Sequence, residues 1–155
     1  MLSDKTLVLG CGNILRGDDG FGPAVVNYIE KNLRTPDSVE ILDAGLSASM
    51  ILLDLILADN KPKKIILIDC LQKGGRPGEL HTFKSADLPI TQKTSLHGFP
   101  DREMLDKLEK TGVSTVFLCC EPGYLPSEVS TVMSAEVTSS IPKAAELTLK
   151  LARDP

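Results

Sequence analysis

A glycine-rich turn connects the first apolar segment of the chain to its first amphipathic segment. Residues 6–9 are apolar, and the stretch after them reads Gly10-Cys11-Gly12-Asn13-Ile14-Leu15-Arg16-Gly17-Asp18-Asp19-Gly20-Phe21-Gly22. A strand, a glycine-rich turn and a helix start, in this order, are typical of a turn that binds a nucleotide phosphate. Here two neighbouring carboxylates, Asp18 and Asp19, stand where a phosphate would arrive, and carboxylates repel phosphate and attract cations. We therefore expect a ligand-binding turn whose ligand is not a nucleotide.

Length and charge narrow the class of protein. The chain has 155 residues and a formal net charge of −4 at pH 7, so we expect a single domain over residues 1–155. The acidic balance and the lack of a Lys/Arg block argue against nucleic-acid binding. The first residues do not resemble a signal peptide, and the longest apolar stretch, residues 50–58, is about half of a membrane span. We therefore expect a cytoplasmic protein without membrane contact.

The four cysteines, Cys11, Cys70, Cys119 and Cys120, show no C-x-x-C spacing. That pattern indicates neither a zinc clip nor a redox pair. Because three of them lie in or just after apolar strand patterns, we expect reduced thiols that serve as small apolar side chains.

Strand and helix patterns alternate along the chain. Strands are predicted at residues 5–9, 39–42, 64–68, 80–83 and 114–119, with the direction of the fourth left open. Helices are predicted at residues 22–33, 47–58 and 101–110, and a last helix is predicted to begin at Pro142. The run at 64–68 is continuously apolar, as in strands buried on both faces. The sequence therefore predicts a three-layer α/β fold, with a mainly parallel twisted sheet of about five strands and helices on both faces.

Acidic residues fall repeatedly where predicted strands end. Asp18 and Asp19 follow the first strand, Asp43 ends the second, Asp69 ends the third, and Glu121 follows the last. Each has an ordinary explanation, such as Asp18 or Asp19 capping the first helix. In a doubly wound sheet, however, the carboxyl ends of the strands form the ligand crevice. Several carboxylates there raise one another's pKa values unless a cation neutralises them, so the pattern favours a metal site.

Two histidines could complete such a site. His97 lies in a polar loop where no packing pattern requires it, whereas His81 lies within a strand pattern and is expected to be structural. An Asp/Asp/His set suits nickel, zinc, iron or manganese. Nucleophile-elbow, zinc-helix and P-loop motifs are absent from the sequence. The dinucleotide fingerprint fails at its third glycine, although Asp43 occupies the position of a ribose-binding acid, so a nucleotide-binding module remains an alternative.

The pattern Gly10-x-Gly12-Asn13-x-Leu15-x-x-Asp18-Asp19-Gly20-x-Gly22 resembles the N-terminal signature of the hydrogenase maturation proteases. These endopeptidases trim the C-terminus of nickel-containing hydrogenase large subunits. Further blocks that resemble the family follow in order at residues 40–45, 66–69 and 95–97. The resemblance thus extends over most of the chain.

The resemblance implies a metal-binding trio of Asp19, Asp69 and His97, and a monomer that cuts the C-terminal extension from a [NiFe]-hydrogenase large-subunit precursor. The metal would be nickel carried by the substrate. Either this ion or a carboxylate, for which Asp43 is the nearest candidate, would activate the hydrolysis. The chain departs from the family in having aspartate at Asp19, where glutamate is frequent, and Leu96, where proline is frequent. A non-catalytic nickel-binding assembly protein is the other alternative.

Overall fold

Five strands form one sheet in the computed structural model, which describes residues 1–88 and 100–155. The strands are β1 (Thr6–Cys11), β2 (Val39–Gly45), β3 (Lys64–Cys70), β4 (Leu80–Lys84) and β5 (Ser114–Cys120). They lie in the order β2-β1-β3-β5-β4. The first three and β5 are parallel, and β4 pairs with β5 in the antiparallel direction. The prediction of a mainly parallel sheet is confirmed, and the strand whose direction was left open is an antiparallel edge strand.

Four α-helices cover the two faces of this sheet. They are α1 (Phe21–Asn32), α2 (Ala48–Leu57), α3 (Arg102–Lys110) and α4 (Ala135–Arg153). The helices α1 and α4 pack on the side chains of one face, among them Val8 and Ile66, while α2 and α3 pack on the other face with Leu9 and Leu67. Every residue of β3 is buried, as its continuous apolar run predicts. In the described part of the chain, no helix has the length and apolarity needed to cross a membrane.

The order of the strands locates the ligand crevice. From β1 the chain crosses to β2 on one side, and from β2 it returns past β1 to β3 on the other side. Ligands of open α/β sheets bind where the strand order reverses in this way, outside the carboxyl ends of the strands. In this molecule the reversal lies at the ends of β1 and β3.

The last helix is longer than the sequence predicts. It begins at Ala135, after Ser134, whose side chain accepts a hydrogen bond from the Val137 amide, and Pro142 lies inside it. An interior proline costs about 3 kcal/mol because one backbone hydrogen bond is lost. Buried residues at helical spacing on both sides of the proline outweigh this cost; they are Val137, Ile141, Ala144, Ala145, Thr148, Leu149 and Ala152. The predicted start at Pro142 was therefore wrong.

Two glycines of the opening turn allow α1 to lie against the sheet. A Cβ atom at Gly22 would lie 2.3 Å from the carbonyl oxygens of Cys11 and Ile68, and a Cβ atom at Gly10 would lie 2.6 Å from the Gly22 oxygen. Real Cβ atoms do not approach backbone this closely, so these positions admit only glycine. Close helix–strand packing therefore accounts for both glycines without a bound phosphate.

We expect Gly22→Ala to lower the free energy of unfolding by about 3 kcal/mol or more, because the added methyl group forces α1 away from β1 and β3. Urea denaturation measures this change. The control is Gly112→Ala, where φ is +95° but the added Cβ meets open space. Backbone strain alone should cost the control about 1–2 kcal/mol. Equal losses in the two variants would contradict the packing role of Gly22.

Candidate functional site

The turn after β1 brings the Asp19 carboxylate to the end of β3. Gly12 has φ +131°, and a Cβ atom there would lie 1.9 Å from the Asp19 carbonyl oxygen and 3.4 Å from Oδ1 of Asp69. The amide of Asn13 donates a 2.9 Å hydrogen bond to Oδ2 of Asp19, which fixes the carboxylate over the turn. Gly12 thus lets the backbone fold back closely enough to place Asp19 beside Asp69.

Asp69 is a buried carboxylate in β3. Its Oδ1 accepts a 2.7 Å hydrogen bond from the Cys70 amide, and its side chain is almost wholly shielded from solvent. Burial raises the pKa of Asp69 well above its ordinary range, and the nearby charge of Asp19 raises this pKa further. Both effects disfavour the ionised form, and a cation between the two carboxylates would relieve both.

Two thiols lie on the same side of the sheet as Asp69. Cys119 of β5 pairs with Asp69 of β3. Cys11 is the last residue of β1, the other neighbour of β3 in the sheet. Burial raises the pKa of both thiols, and the Asp69 charge raises it further. All four cysteines are free and buried, which confirms their predicted use as reduced, apolar side chains.

Asp43 lies on the other side of β1 from Asp69. It pairs with Gly10 across β2 and β1, whereas β3 lies on the other side of β1. Because neighbouring strands are about 4.8 Å apart, the Cα atoms of Asp43 and Asp69 are separated by roughly 10 Å. The exposed Asp43 carboxylate accepts a 3.1 Å hydrogen bond from the Gly45 amide and lines a cleft of about 350 Å³ together with Ile14.

The predicted third ligand, His97, lies outside the described residues. Near the boundary of this part of the chain, the Arg102 guanidinium donates hydrogen bonds of 3.2 and 3.4 Å to the carbonyls of Ala86 and Leu88. Within residues 1–88 and 100–155, no three side chains of His, Cys, Asp or Glu form a group that could hold a metal ion. Among the described residues, the site therefore contains the Asp19–Asp69 pair, with Asp43 across β1.

Asp18 faces away from its neighbour and into the protein. It is fully buried and accepts hydrogen bonds of 2.6–2.9 Å from the amides of Gly123, Tyr124 and Ser134 and from the Ser134 hydroxyl. Neither Asp18 nor Asp19 caps α1, because Gly20 occupies that N-cap position, so the ordinary explanation for these aspartates is wrong. Asp18 instead binds the N-cap residue of α4, Ser134.

Glu121 has a similar structural role. It is buried, and its carboxylate accepts hydrogen bonds of 2.9–3.1 Å from the amides of Lys73 and Gly74. The sequence places Glu121 at the crevice but does not reveal these partners, which lie 47 and 48 residues away along the chain. Its position after an apolar strand was the only available signal.

The sequence model of the hydrogenase maturation protease family matches residues 23–151. The chain belongs to the hydrogenase maturation protease family. It is accordingly a peptide hydrolase of the class that processes hydrogenase precursors, as the resemblance of its opening turn implies.

Individual relatives match this maturation protease over nearly its whole length. A protein of Methanocaldococcus jannaschii, provisionally named a hydrogenase maturation protease, is 36% identical over 152 residues, covering 96% of this chain and 97% of its own. The solved structure of the hydrogenase maturating endopeptidase HybD from E. coli matches with a TM-score of 0.79 and 29% identity, covering 96% and 92% of the two chains. HycI from Thermococcus kodakarensis, a [NiFe] hydrogenase maturation protease, matches with a TM-score of 0.77 and 26% identity, covering 97% and 94%.

Asp18→Ala should lower the free energy of unfolding of this maturation protease by at least about 3 kcal/mol. The change removes a buried, charged acceptor and leaves the backbone amides of Gly123, Tyr124 and Ser134 without their partner. Urea denaturation measures the loss. Asp54→Ala, which removes an exposed carboxylate on α2, should change stability by no more than about 0.5 kcal/mol. A similarly small loss for Asp18→Ala would contradict its structural role.

We expect Asp69→Asn to raise the melting temperature at neutral pH. Since the pKa of Asp69 in the folded protein lies above the ordinary value of 3.8, the wild type loses stability as pH rises from 3.8 through the raised pKa. Asparagine has no charge to bury, so the variant escapes this loss. At pH values below 3.8 the wild-type carboxyl is protonated in both states, and the difference should disappear. Thermal denaturation of both proteins across this pH range tests the prediction. A melting temperature of Asp69→Asn at neutral pH that is no higher than that of the wild type would contradict it.

Proposed function

We propose that this maturation protease removes the C-terminal extension of a [NiFe]-hydrogenase large-subunit precursor after recognising the precursor's nickel. Asp19 and Asp69 are the proposed carboxylate ligands, and His97 is the proposed third ligand. The nickel belongs to the substrate in this proposal, so the enzyme acts only on a precursor whose metal centre is complete.

The close pair of carboxylates at the ends of β1 and β3 carries this proposal. In the described part of the chain, neither Asp19 nor Asp69 forms an ion pair with a lysine, arginine or histidine. Burial and mutual repulsion make this pair unfavourable by itself, as the raised pKa of Asp69 reflects. A divalent cation presented by the substrate would neutralise both charges. Nickel accepts oxygen ligands, and imidazole suits it as well.

The carboxylate of Asp43 is the proposed group that activates water. It is exposed in the cleft beside Ile14 and Pro23, where solvent can reach it, and it lies across β1 from Asp69. A carboxylate in this position could take a proton from a water molecule that attacks the scissile carbonyl. Nickel on the substrate could alternatively polarise that carbonyl as a Lewis acid.

Matched precursors test the proposal. A nickel-loaded large-subunit precursor should lose its C-terminal extension on incubation with the enzyme, whereas the nickel-free precursor should remain intact, because only the former neutralises Asp19 and Asp69. Mass spectrometry of the large subunit measures the cleavage. Equal processing of both forms would contradict nickel recognition. Binding of the loaded precursor without cleavage would instead support a non-catalytic assembly role.

Of the two histidines in the chain, His97 is a proposed ligand and His81 provides its control. Asp69→Asn and His97→Ala should lower cleavage of the loaded precursor by at least about tenfold, the usual range for a disturbed metal site. His81→Ala should retain most of the activity, since His81 lies on the edge strand β4. Full activity of His97→Ala would remove His97 from the proposed ligands.

A further inference from the structure

Two segments far apart in sequence are joined into one surface beside Asp19. The first is residues 13–17 of the opening turn, and the second is residues 124–132, between β5 and α4. The amide of Gly17 donates a 2.9 Å hydrogen bond to the Ser130 carbonyl, and the amide of Ser130 donates a 2.8 Å hydrogen bond to the Leu15 carbonyl. Asp18 accepts hydrogen bonds from the amide of Tyr124, at the start of the second segment, and from the amide of Ser134, just after its end. We call these two segments together the platform.

The platform exposes six large apolar side chains. Its exposed apolar residues are Ile14 (57%), Leu15 (47%), Tyr124 (42%), Leu125 (36%), Val129 (79%) and Val132 (67%). Its two charged residues, Arg16 and Glu128, have opposite signs. The platform is therefore neutral in a chain whose net charge is −4. A contiguous apolar patch of this kind marks an interaction site more often than a bare surface.

Two clefts are lined in part by the loop that carries Ile14 and Leu15. One has a volume of about 350 Å³ and is lined by Ile14, Asp43 and Met133 among others. The second has a volume of about 420 Å³ and is lined by residues that include Leu15 and Val129. Two clefts lined by the same short loop could each bind one side chain of a single extended peptide.

We propose that the platform is the docking surface for an extended, apolar segment of the precursor polypeptide next to the scissile bond. This inference rests on the proposed function and names the part of the enzyme that binds the protein portion of the substrate. The turn that carries Asp19 also carries Ile14 and Leu15, which are exposed, so they are within reach of a polypeptide that presents its metal to Asp19. The neutral, apolar platform favours an apolar segment over a charged peptide or a nucleic acid. Because its backbone is held by hydrogen bonds before binding, little ordering entropy is lost.

A second group of exposed apolar side chains provides a matched control. Met50 and Leu57 on α2 are 66% and 76% exposed. They lie on the helix that follows β2 and packs on the α3 face of the sheet, so they do not share the backbone contacts that join the platform to Asp19. Substitutions there make the same chemical change without touching the proposed docking surface.

The experiment compares Leu15→Ser/Val129→Ser with Met50→Ser/Leu57→Ser, using the nickel-loaded precursor as the probe. The platform variant should raise KM at least roughly fivefold with kcat little changed, because two aliphatic contacts with the substrate are lost. The α2 variant should have wild-type kinetics. Equal melting temperatures establish that both variants fold, and the single variant Val132→Ser, with the same expected direction, replaces the double variant if that one does not fold.

The outcomes separate this inference from the proposed function. A wild-type KM for the platform variant would overturn the docking surface, as would a KM raised only by the α2 substitutions. If the wild type binds the loaded precursor without cleaving it, the proposed function fails. The docking surface is then tested by the dissociation constant measured by light scattering, which the platform substitutions must raise. A wild type that neither binds nor cleaves the loaded precursor would overturn both.

Discussion

The close backbone approach between the opening turn and the ends of β1 and β3 is the constraint on which the site depends. Gly22 lies against the carbonyls of Cys11 and Ile68, and Gly12 lies against the carbonyl of Asp19. At either glycine, an added Cβ atom would clash with these carbonyl oxygens. These contacts hold the turn over the ends of β1 and β3, where the order of the strands reverses. Asp19 therefore reaches the buried end of β3 although Asp69 lies 50 positions later in the chain.

Adjacent aspartates in this turn have opposite roles because their surroundings differ. Asp18 accepts hydrogen bonds from three backbone amides and a hydroxyl, which replace the water that an ionised carboxylate loses on burial. Asp19 accepts a backbone hydrogen bond from Asn13, and its charge raises the pKa of Asp69. The structure thus satisfies the Asp18 carboxylate internally, whereas burial and the charge of Asp19 raise the pKa of Asp69. Such a concentration of unfavourable charge is typical of functional sites rather than of structural ones.

The sequence predicted the sheet and the strand-end aspartates well because both follow from local patterns. The apolar run of β3 specifies a buried strand, and Asp69 follows from where that run meets a polar residue. The role of Asp18 could not be predicted, because its partners lie 105–116 residues away and no local pattern encodes them. The start of α4 was missed because Pro142 is a strong local signal, whereas burial along the whole helix decides the outcome. His97 lies outside the described residues, so its place in the site remains a prediction from family resemblance.

The proposed carboxylate pair and the proposed platform would contribute differently to substrate selection. Contacts with an apolar peptide are the same whether or not the precursor contains nickel, so the platform adds equal affinity for both forms. Discrimination depends only on the difference between the two affinities, and in the proposed mechanism that difference would come from the nickel ligands Asp19, Asp69 and His97. A platform that bound very tightly would hold nickel-free precursor as well and block the enzyme. Selective processing therefore requires a platform of moderate affinity, rigid enough to align the peptide, beside carboxylates that remain unfavourable until the metal arrives.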